Sequence, residues 1–389
     1  MYLKVNKRKD NLKICESTAK MLQHQPFEIP DEVVREILIW LPVEFLARFK
    51  SVSKAWLAII SDPSFVPAHL QCSKKKEKQN PSSFLITPHI LLHFPAGEFG
   101  AVAPMAHCDG LLLLPTDTKV YVFNPATKDA IALPQSQRNM MRHYGCLSVG
   151  LGLDTSTGKY KVARTFHRSC DDGPMEIFTM GMEVFTINGE NGSWRETSVD
   201  LPYPILGSQA GIYCKGCLFF FIDKNNQQIP PQRLLRFSLL DETFGVTPLL
   251  TNLYPSVDDE DIFVNELDGE LCASLFSKVL QRVLIFTTSH VVDPRWDIRY
   301  IINVDVECDP MASLGSSRIL LRHGCRVFRY NLKTGRLEEG EIFDMRDIRY
   351  LGPGEDALGH AWENLSWFDL ISYTESLVPV TLKASSWAL

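Results

Sequence analysis

The sequence lacks the features of membrane and secreted proteins. No apolar run approaches the roughly 18 residues that a membrane-spanning helix needs, and the polar, basic N-terminus has no hydrophobic stretch of a signal peptide. The 10 cysteines among 389 residues are scattered, without the spacing of a disulfide framework. We therefore expect free thiols in a reducing compartment, in the cytoplasm, the nucleus or both, and no association with a membrane.

Groupings typical of catalysis or metal binding are also missing. The 10 histidines form no HExxH or HxH arrangement, and the chain has no GxSxG elbow. The segment GLGLDTSTGK lacks the spacing of a phosphate loop, and a β-hairpin turn accounts for its glycines. Cys214 and Cys217 form a single CxxC without a second pair, which favours buried thiols over a zinc or redox site. The sequence predicts no cofactor, no metal and no enzyme activity.

Charge is distributed unevenly along the chain. The formal net charge is −6, but residues 81–389 alone carry −11, whereas residues 1–26 carry +4 and residues 71–80 carry +3. A large acidic region repels the phosphate backbone, so we expect no nucleic-acid partner. We interpret 1–26 as a basic, disordered tail and the Lys-rich segment 71–83 as a linker between two domains.

The strongest helical pattern lies between these two basic segments, in residues 27–70 (FEIPDEVVREILIWLPVEFLARFKSVSKAWLAIISDPSFVPAHL). Apolar residues recur there at helical spacing in three short segments. Pro30 and Pro42 suit the starts of the first two helices, and Ser53 suits the cap of a third that ends before Asp62-Pro63. A module of roughly 44 residues is too small to complete a core alone, so its apolar face is expected to pack on another protein.

This segment also resembles a known family. Ile29-Pro30, EILIWLP, LARFKSVSKAW and IISDPSF resemble the F-box, with Trp40 at a position where a polar residue is more usual. The resemblance implies a subunit of a cullin-based ubiquitin ligase that binds a Skp-type adaptor and, through it, a cullin. The residues implied to bind the adaptor are Ile29, Pro30, Val33, Ile37, Leu38, Leu41, Pro42, Leu46, Val52 and Trp56. Of these we expect Trp56 to belong partly to the internal core.

From residue 84 to residue 380 the pattern changes to short β-type runs separated by turn residues. VYVFNPATKD aligns without gaps with VFRYNLKTGR, which places Asn124 over Asn331. An aromatic residue closes each of five runs, at intervals of roughly 50 residues, the length of a kelch-type blade. These residues are Phe123, Phe185, Phe237, Phe286 and Tyr330. Glycines in CDGLLLL, CKGCLFF and LDGELCA suit inner strands near a crowded channel.

The predicted fold is therefore α+β and multidomain: a three-helix F-box, then an all-β, kelch-like propeller, with a C-terminal tail at 381–389. A bent β-sandwich is the alternative for the β domain. CDGLLLL, VYVFNPATKDAIALP, VGLGLDTSTGKYKVART and SYTESLVPV resemble the F-box-associated interaction domain of plant F-box proteins. SYTESLVPV is a candidate for the strand that closes the ring with N-terminal sequence.

Together the two resemblances imply a non-catalytic substrate-recognition adaptor of a Skp–cullin–F-box ubiquitin ligase. The β domain would bind a target protein. Two alternatives remain at this point. The chain could be a propeller enzyme or ligand-binding propeller, with polar side chains converging in a central channel. It could also be an F-box protein of a non-degradative complex.

Overall fold

A computed structural model shows an N-terminal group of helices followed by a β-propeller. It describes residues 29–79, 83–88, 92–93, 99–100, 105–115, 119–136, 148–170, 178–189, 192–207, 209–223, 233–250, 252–347, 349–350, 360–361 and 368–381. The predicted tail 1–26 lies outside these residues. The helices are α1 (Asp31–Leu38), α2 (Val43–Phe49), α3 (Lys54–Ser61) and α4 (Phe65–Gln79).

The first three helices begin where the sequence predicted. Pro30 and Pro42 immediately precede α1 and α2, and the Ser53 hydroxyl accepts a hydrogen bond of 3.1 Å from the backbone N–H of Trp56. The fourth helix was not predicted, because the sequence pattern placed the end of the last helix before Asp62-Pro63. Pro67 is the third residue of α4, in the first turn, where a backbone N–H has no partner within the helix. The Lys-rich segment that we interpreted as a linker is thus helical as far as Gln79.

The strands form five four-stranded antiparallel sheets, each a blade in which consecutive strands pair. The strands before the first blade are β1 (Phe84–Pro88), β2 (Leu92–His93) and β3 (Phe99–Gly100). Blade one contains β4 (Ala106–Cys108), β5 (Leu111–Pro115), β6 (Val120–Asn124) and β7 (Asp129–Ala132). Blade two contains β8 (Val149–Asp154), β9 (Lys159–Cys170), β10 (Phe178–Thr186) and β11 (Arg195–Glu196).

Blade three contains β12 (Ile212–Cys214), β13 (Cys217–Phe221), β14 (Arg233–Ser238) and β15 (Phe244–Pro248). Blade four contains β16 (Ile262–Leu267), β17 (Glu270–Ser277), β18 (Arg282–Thr288) and β19 (Asp297–Asn303). Blade five contains β20 (Asp309–Leu314), β21 (Arg318–His323), β22 (Arg326–Asn331) and β23 (Arg336–Asp344). The last strands are β24 (Arg349–Tyr350), β25 (His360–Ala361) and β26 (Phe368–Ser372).

The first strand of each blade lies inside the ring, where β4, β8, β12, β16 and β20 are neighbours in that order. All five predicted aromatic residues fall on the third strand of a blade, and the four other than Phe123 are at most 1% exposed. The apolar core lies between adjacent blades, as in the cluster that joins Leu267 and Ile285 of blade four to Ile319 of blade five. The propeller is therefore confirmed and the bent β-sandwich is wrong.

The ring is closed by sequence from both ends of the β region. β26 pairs antiparallel with β1, from Phe84 opposite Ser372 to Pro88 opposite Phe368, and lies beside β20. Of the predicted closing segment SYTESLVPV only the first residue belongs to this strand. The remainder, residues 373–380, runs along blades one and two, where Asn124 and Asn188 donate hydrogen bonds to it.

The glycines at the inner hairpins have a different role from the one predicted. Gly110, Gly216 and Gly269 lie in tight turns with φ of 78° to 87°, each after a residue that also has positive φ. Two residues with positive φ are the signature of a type I′ hairpin turn, which favours glycine at its second position. Around Gly269 there is open space, so backbone conformation rather than crowding selects this glycine.

Candidate partner-docking surfaces

Helix α1 presents apolar side chains to both the interior and the solvent. At 3.6 residues per turn, the angular order around the helix is Val33, Ile37, Val34, Leu38. Exposure follows that order, because Val33 and Ile37 are 47% and 54% exposed and Val34 and Leu38 are buried. Trp40, which is 54% exposed, and the half-buried Leu41 lie in the turn after the helix. One stripe of the helix therefore forms core, and its neighbour remains available to a partner.

The residues that the F-box resemblance implied for adaptor binding fall into three groups. Ile29, Pro30, Val33, Ile37 and Val52 are exposed, whereas Leu41, Pro42 and Trp56 are half-buried. Leu38 and Leu46 are 1% and 0% exposed and belong to the core of the helices. Their assignment as contact residues is corrected, because a partner cannot reach them while the helices are folded.

Three exposed apolar residues were missed as contact candidates: Trp40, Phe45 and Leu57. Phe45 is 46% exposed with the Arg48 guanidinium 6.0 Å from its ring centre, and Leu57 is 44% exposed. All three lie within the helical segment whose apolar content exceeds what its own small core can bury. The sequence shows that the segment has more apolar residues than its core can bury, but it does not show which side of each helix stays exposed.

Leu41 and Pro42 lie in the turn between α1 and α2, which contacts α4 and the segment after β26. The His69 Nε2–H of α4 donates to the backbone oxygen of Leu41 at 2.9 Å, because a carbonyl oxygen can only accept. The N–H of Val43 donates to Glu375 Oε2 at 3.0 Å. Trp56 packs edge-on against Phe49, with ring centres 5.1 Å apart, and so serves the internal core.

Helix α4 belongs to both parts of the molecule. Phe65 is fully buried in the F-box core, with Ala68 and Cys72 against it. Leu70 and Val66 pack instead into the apolar cluster between blades one and two. The F-box core is therefore completed within this chain, while another part of the apolar surface of its helices stays exposed.

A central channel of about 1070 Å³ runs between the inner strands, and α4 lies across one mouth. Lys74 of α4 forms an ion pair of 2.5 Å with Asp109, which also accepts a hydrogen bond of 3.0 Å from the Tyr160 hydroxyl. At the end of α4, the backbone oxygen of Gln79 lies close to Gly315 of blade five. The basic end of the helix thus covers the mouth formed by the inner hairpin turns.

Several carboxylates of the channel are held by partners within the fold. Asp268 pairs with Arg299 at 2.5 Å, and Asp309 pairs with Arg322 at 2.6 Å. Burial raises the pKa of Glu266, with a further contribution from the nearby Asp268 carboxylate, although the N–H of Gly269 donates to it. Within the described part of the chain, no group of three or more metal-ligating side chains could hold a metal ion.

Cys108, Cys214, Cys217, Cys272 and Cys308 form no disulfide bond, and their side chains are buried. Cys214 and Cys217 face each other at the end of the β12–β13 hairpin, and burial raises the pKa of Cys214 to about 12. Burial likewise raises the pKa of Cys308 to about 12. Thiols in this state are poor nucleophiles and poor metal ligands at neutral pH. None of the helices in the described ranges is long and apolar enough to cross a membrane.

Comparison with known proteins agrees with this architecture. Residues 27–67 match the model of the F-box domain, and residues 79–308 match the model of the F-box associated beta propeller domain. The chain is similar to a putative F-box/kelch-repeat protein of Arabidopsis thaliana, with 24% identity over 71% of each chain. It is 27% identical to an F-box/LRR-repeat/kelch-repeat protein of that plant, over 72% of this chain and 78% of the other. An Arabidopsis F-box protein is 32% identical over 43% of this chain and 50% of the other.

Proposed function

Because this chain belongs to the family of proteins with an F-box-associated β-propeller domain, we propose that it is the substrate-recognition adaptor of a Skp–cullin–F-box ubiquitin ligase. The F-box binds a Skp-type adaptor and, through it, a cullin, while the propeller binds a target protein for ubiquitination. In this role the chain supplies binding surfaces and no catalytic group. Its free thiols suit the reducing cytoplasm, nucleus or both.

The observation that carries this proposal is the exposed apolar surface of the F-box. Ile29, Val33, Ile37 and Val52 are each about half exposed or more, although they lie in a folded helical module. Clusters of exposed apolar residues on soluble proteins mark sites of protein–protein contact. The match of this same segment to the F-box domain supports a Skp-type adaptor as that partner.

The test is a pull-down of a recombinant plant Skp-type adaptor by the full chain. Replacing both Val33 and Ile37 by Glu places two charges in the contact, so recovery of the adaptor should fall by more than tenfold, since truncating one hot-spot residue already costs about 2 kcal/mol. The matched control replaces Val279 and Leu280 by Glu. Those residues are 93% and 56% exposed, but on a turn of blade four. Equal recovery with both double variants would contradict the proposal.

Target degradation is a separate step. An adaptor of a degradative complex shortens the half-life of its target, and the Val33/Ile37 double variant should lengthen it again. A target whose half-life is unchanged, while it still co-purifies with the chain and the Skp-type adaptor, would indicate a non-degradative complex.

Ligand binding in the channel is a second candidate, favoured by its size. The volume of about 1070 Å³ is close to the upper end of ordinary ligand pockets, and the half-buried carboxyl group of Glu266 lies in its wall. Thermal unfolding of the full chain with spermidine and with divalent metal ions would test this. A ligand that raises Tm for the wild type but not for Glu266→Gln would support it, and no shift with any probe would exclude these two classes.

A further inference from the structure

The extended segment that follows β26, residues 373–381, lies between the F-box and the propeller. We call it the strap. From Ser376 to Val380 buried side chains alternate with more exposed ones. Leu377 packs against the F-box core, and Glu375 reaches α2. Ser376, Val378 and Val380 are at most 6% exposed, and the two valines belong to the cluster between blades one and two.

On the F-box side the strap accepts a hydrogen bond from a backbone N–H that has no acceptor within α2. The N–H of Val43 is at the start of α2, where no carbonyl one turn earlier is available. Val43 is fully buried, and its N–H donates to Glu375 Oε2 at 3.0 Å. Leu377 is half-buried beside the same core that contains Leu38 and Leu46. The strap therefore supplies a polar anchor and an apolar anchor to the F-box.

On the propeller side two asparagines hold the backbone of the strap. The Asn124 amide, which is fully buried, donates to the carbonyl oxygens of Ser376 and Val378, both at 2.9 Å. Asn188 of blade two donates to Pro379 O at 3.0 Å and accepts from the N–H and hydroxyl of Thr381. The strap is thus fixed to two blades through both its backbone and its side chains.

We propose that the strap sets the orientation of the F-box on the propeller, with Glu375 and Leu377 as its positioning residues. Helix α4 is the first attachment of the F-box to the propeller, through Val66, Leu70 and Lys74. The strap adds a second attachment, on α2, and two separate attachments restrict rotation of the F-box about α4 more than one does. If the proposed function is correct, the strap holds the adaptor-binding stripe of α1 at a constant distance from the target.

One pair of substitutions isolates the attachment of the strap to the propeller. Asn124 and Asn331 occupy matching positions, and the side-chain oxygen of each accepts from the two N–H groups of the following turn. Only Asn124 also donates to the strap, because the Asn331 amide donates to the Glu338 carboxylate. Aspartate keeps the accepting oxygen and removes the donor. Asn124→Asp should therefore release the strap. Asn331→Asp makes the same change where no strap is bound, and Arg318 and Arg329 beside Glu338 offset the added negative charge, so it serves as the control.

A second set isolates the attachment to the F-box. Glu375→Ala removes the acceptor of the Val43 N–H, whereas Glu375→Gln retains an accepting oxygen and should restore most of the contact. Leu377→Ala removes the apolar anchor. None of these residues belongs to the exposed stripe of α1, so the affinity for a Skp-type adaptor should stay within about twofold, as for surface positions away from a contact.

The readouts are hydrogen exchange and small-angle X-ray scattering of the full chain without any partner. In Asn124→Asp, Glu375→Ala and Leu377→Ala, amides of α2 should exchange roughly tenfold faster or more, as expected when one buried hydrogen bond or packing contact is lost. The scattering-derived maximum dimension should rise. The blades should keep their protection, and Asn331→Asp and Glu375→Gln should resemble the wild type.

Three outcomes would overturn the proposal. One is unchanged exchange and scattering in Glu375→Ala and Leu377→Ala. Another is faster exchange in blades one and two but not in α2, which would show that the strap stabilises the ring and does not hold the F-box. The third is equal effects of Asn124→Asp and Asn331→Asp. Since no partner is present, these results are independent of whether the chain binds a Skp-type adaptor.

Discussion

Ile37 and Leu38 are neighbours in α1, yet the structure assigns them opposite roles. Leu38 is 1% exposed and packs in the F-box core, so Leu38→Ala should destabilise the F-box by about 2–5 kcal/mol, as truncation of a buried leucine does. Ile37 is 54% exposed. Ile37→Ala should change the free energy of unfolding by no more than about 0.5 kcal/mol, as at other surface positions.

The order of effects reverses for binding. If Ile37 lies in the contact with the Skp-type adaptor, removing its side chain should weaken binding by about 1–2 kcal/mol, a roughly 5- to 30-fold rise in Kd. Leu38→Ala should bind almost normally at low temperature, where the F-box is still folded. Comparing the two variants therefore separates an effect on the stability of the F-box from an effect on its affinity for the adaptor.

Two measurements on the full chain distinguish these effects. Hydrogen exchange of α1 gives the local free energy of opening without assuming that F-box and propeller unfold together. Isothermal titration calorimetry gives the affinity for the adaptor. Comparable acceleration of exchange by both substitutions would refute the division of α1 into two stripes. Unchanged affinity in Ile37→Ala would remove Ile37 from the contact while leaving the fold as described.

Further predictions concern the propeller and its junction with the F-box. Lys161 is buried between the carboxylates of Asp154 (2.9 Å) and Glu242 (3.0 Å), so Lys161→Ala should cost about 3–5 kcal/mol in chemical denaturation by leaving Asp154 unpaired. Burial lowers the pKa of His69, so the folded state favours neutral imidazole. The resulting stability is present above pH 6.5 and is lost as pH falls below it; His69→Gln should flatten the dependence of Tm on pH in that range. A side chain at Gly110 would meet the strap, whereas Gly269 has open space around it. Gly110→Ala should therefore lower Tm more than Gly269→Ala, although both have positive φ.

Local signals in the sequence were sufficient for most of the secondary structure. Ser53 caps α3 as its type and position predicted, and the recurring aromatics mark the third strand of every blade. The fourth helix was missed for a reason that is also local. A proline disrupts a helix interior but is accepted in the first turn, and Pro67 alone does not reveal where that turn begins.

The division of the F-box surface could not be predicted in the same way. Periodicity fixes the angle of each side chain around α1, but it does not show that Val34 is buried and Val33 exposed. Which part of that face is covered depends on α3, α4 and the strap. The contact of Glu375 with Val43 joins residues 332 positions apart. No pattern within 27–70 carries that information, and none indicates that Leu377 packs against the core that contains Leu38 and Leu46.

The same long-range contacts connect the closure of the ring to the position of the F-box. Helix α4 leads into β1, β1 pairs with β26, and β26 continues into the strap, which returns to α2. The chain therefore forms a circuit in which the β1–β26 pair is shared by the propeller and by both attachments of the F-box. Weakening this pair, for example with proline at Ile371 opposite Leu85, should loosen the F-box and open the ring together. Cutting the circuit at Glu375 should affect the F-box alone. Hydrogen exchange measured for α2 and for the inner strand β4 in one experiment would distinguish loss of the F-box attachment from opening of the ring. Equal effects of the Ile371 and Glu375 substitutions on both elements would show that the strap and the closing strands act as a single unit.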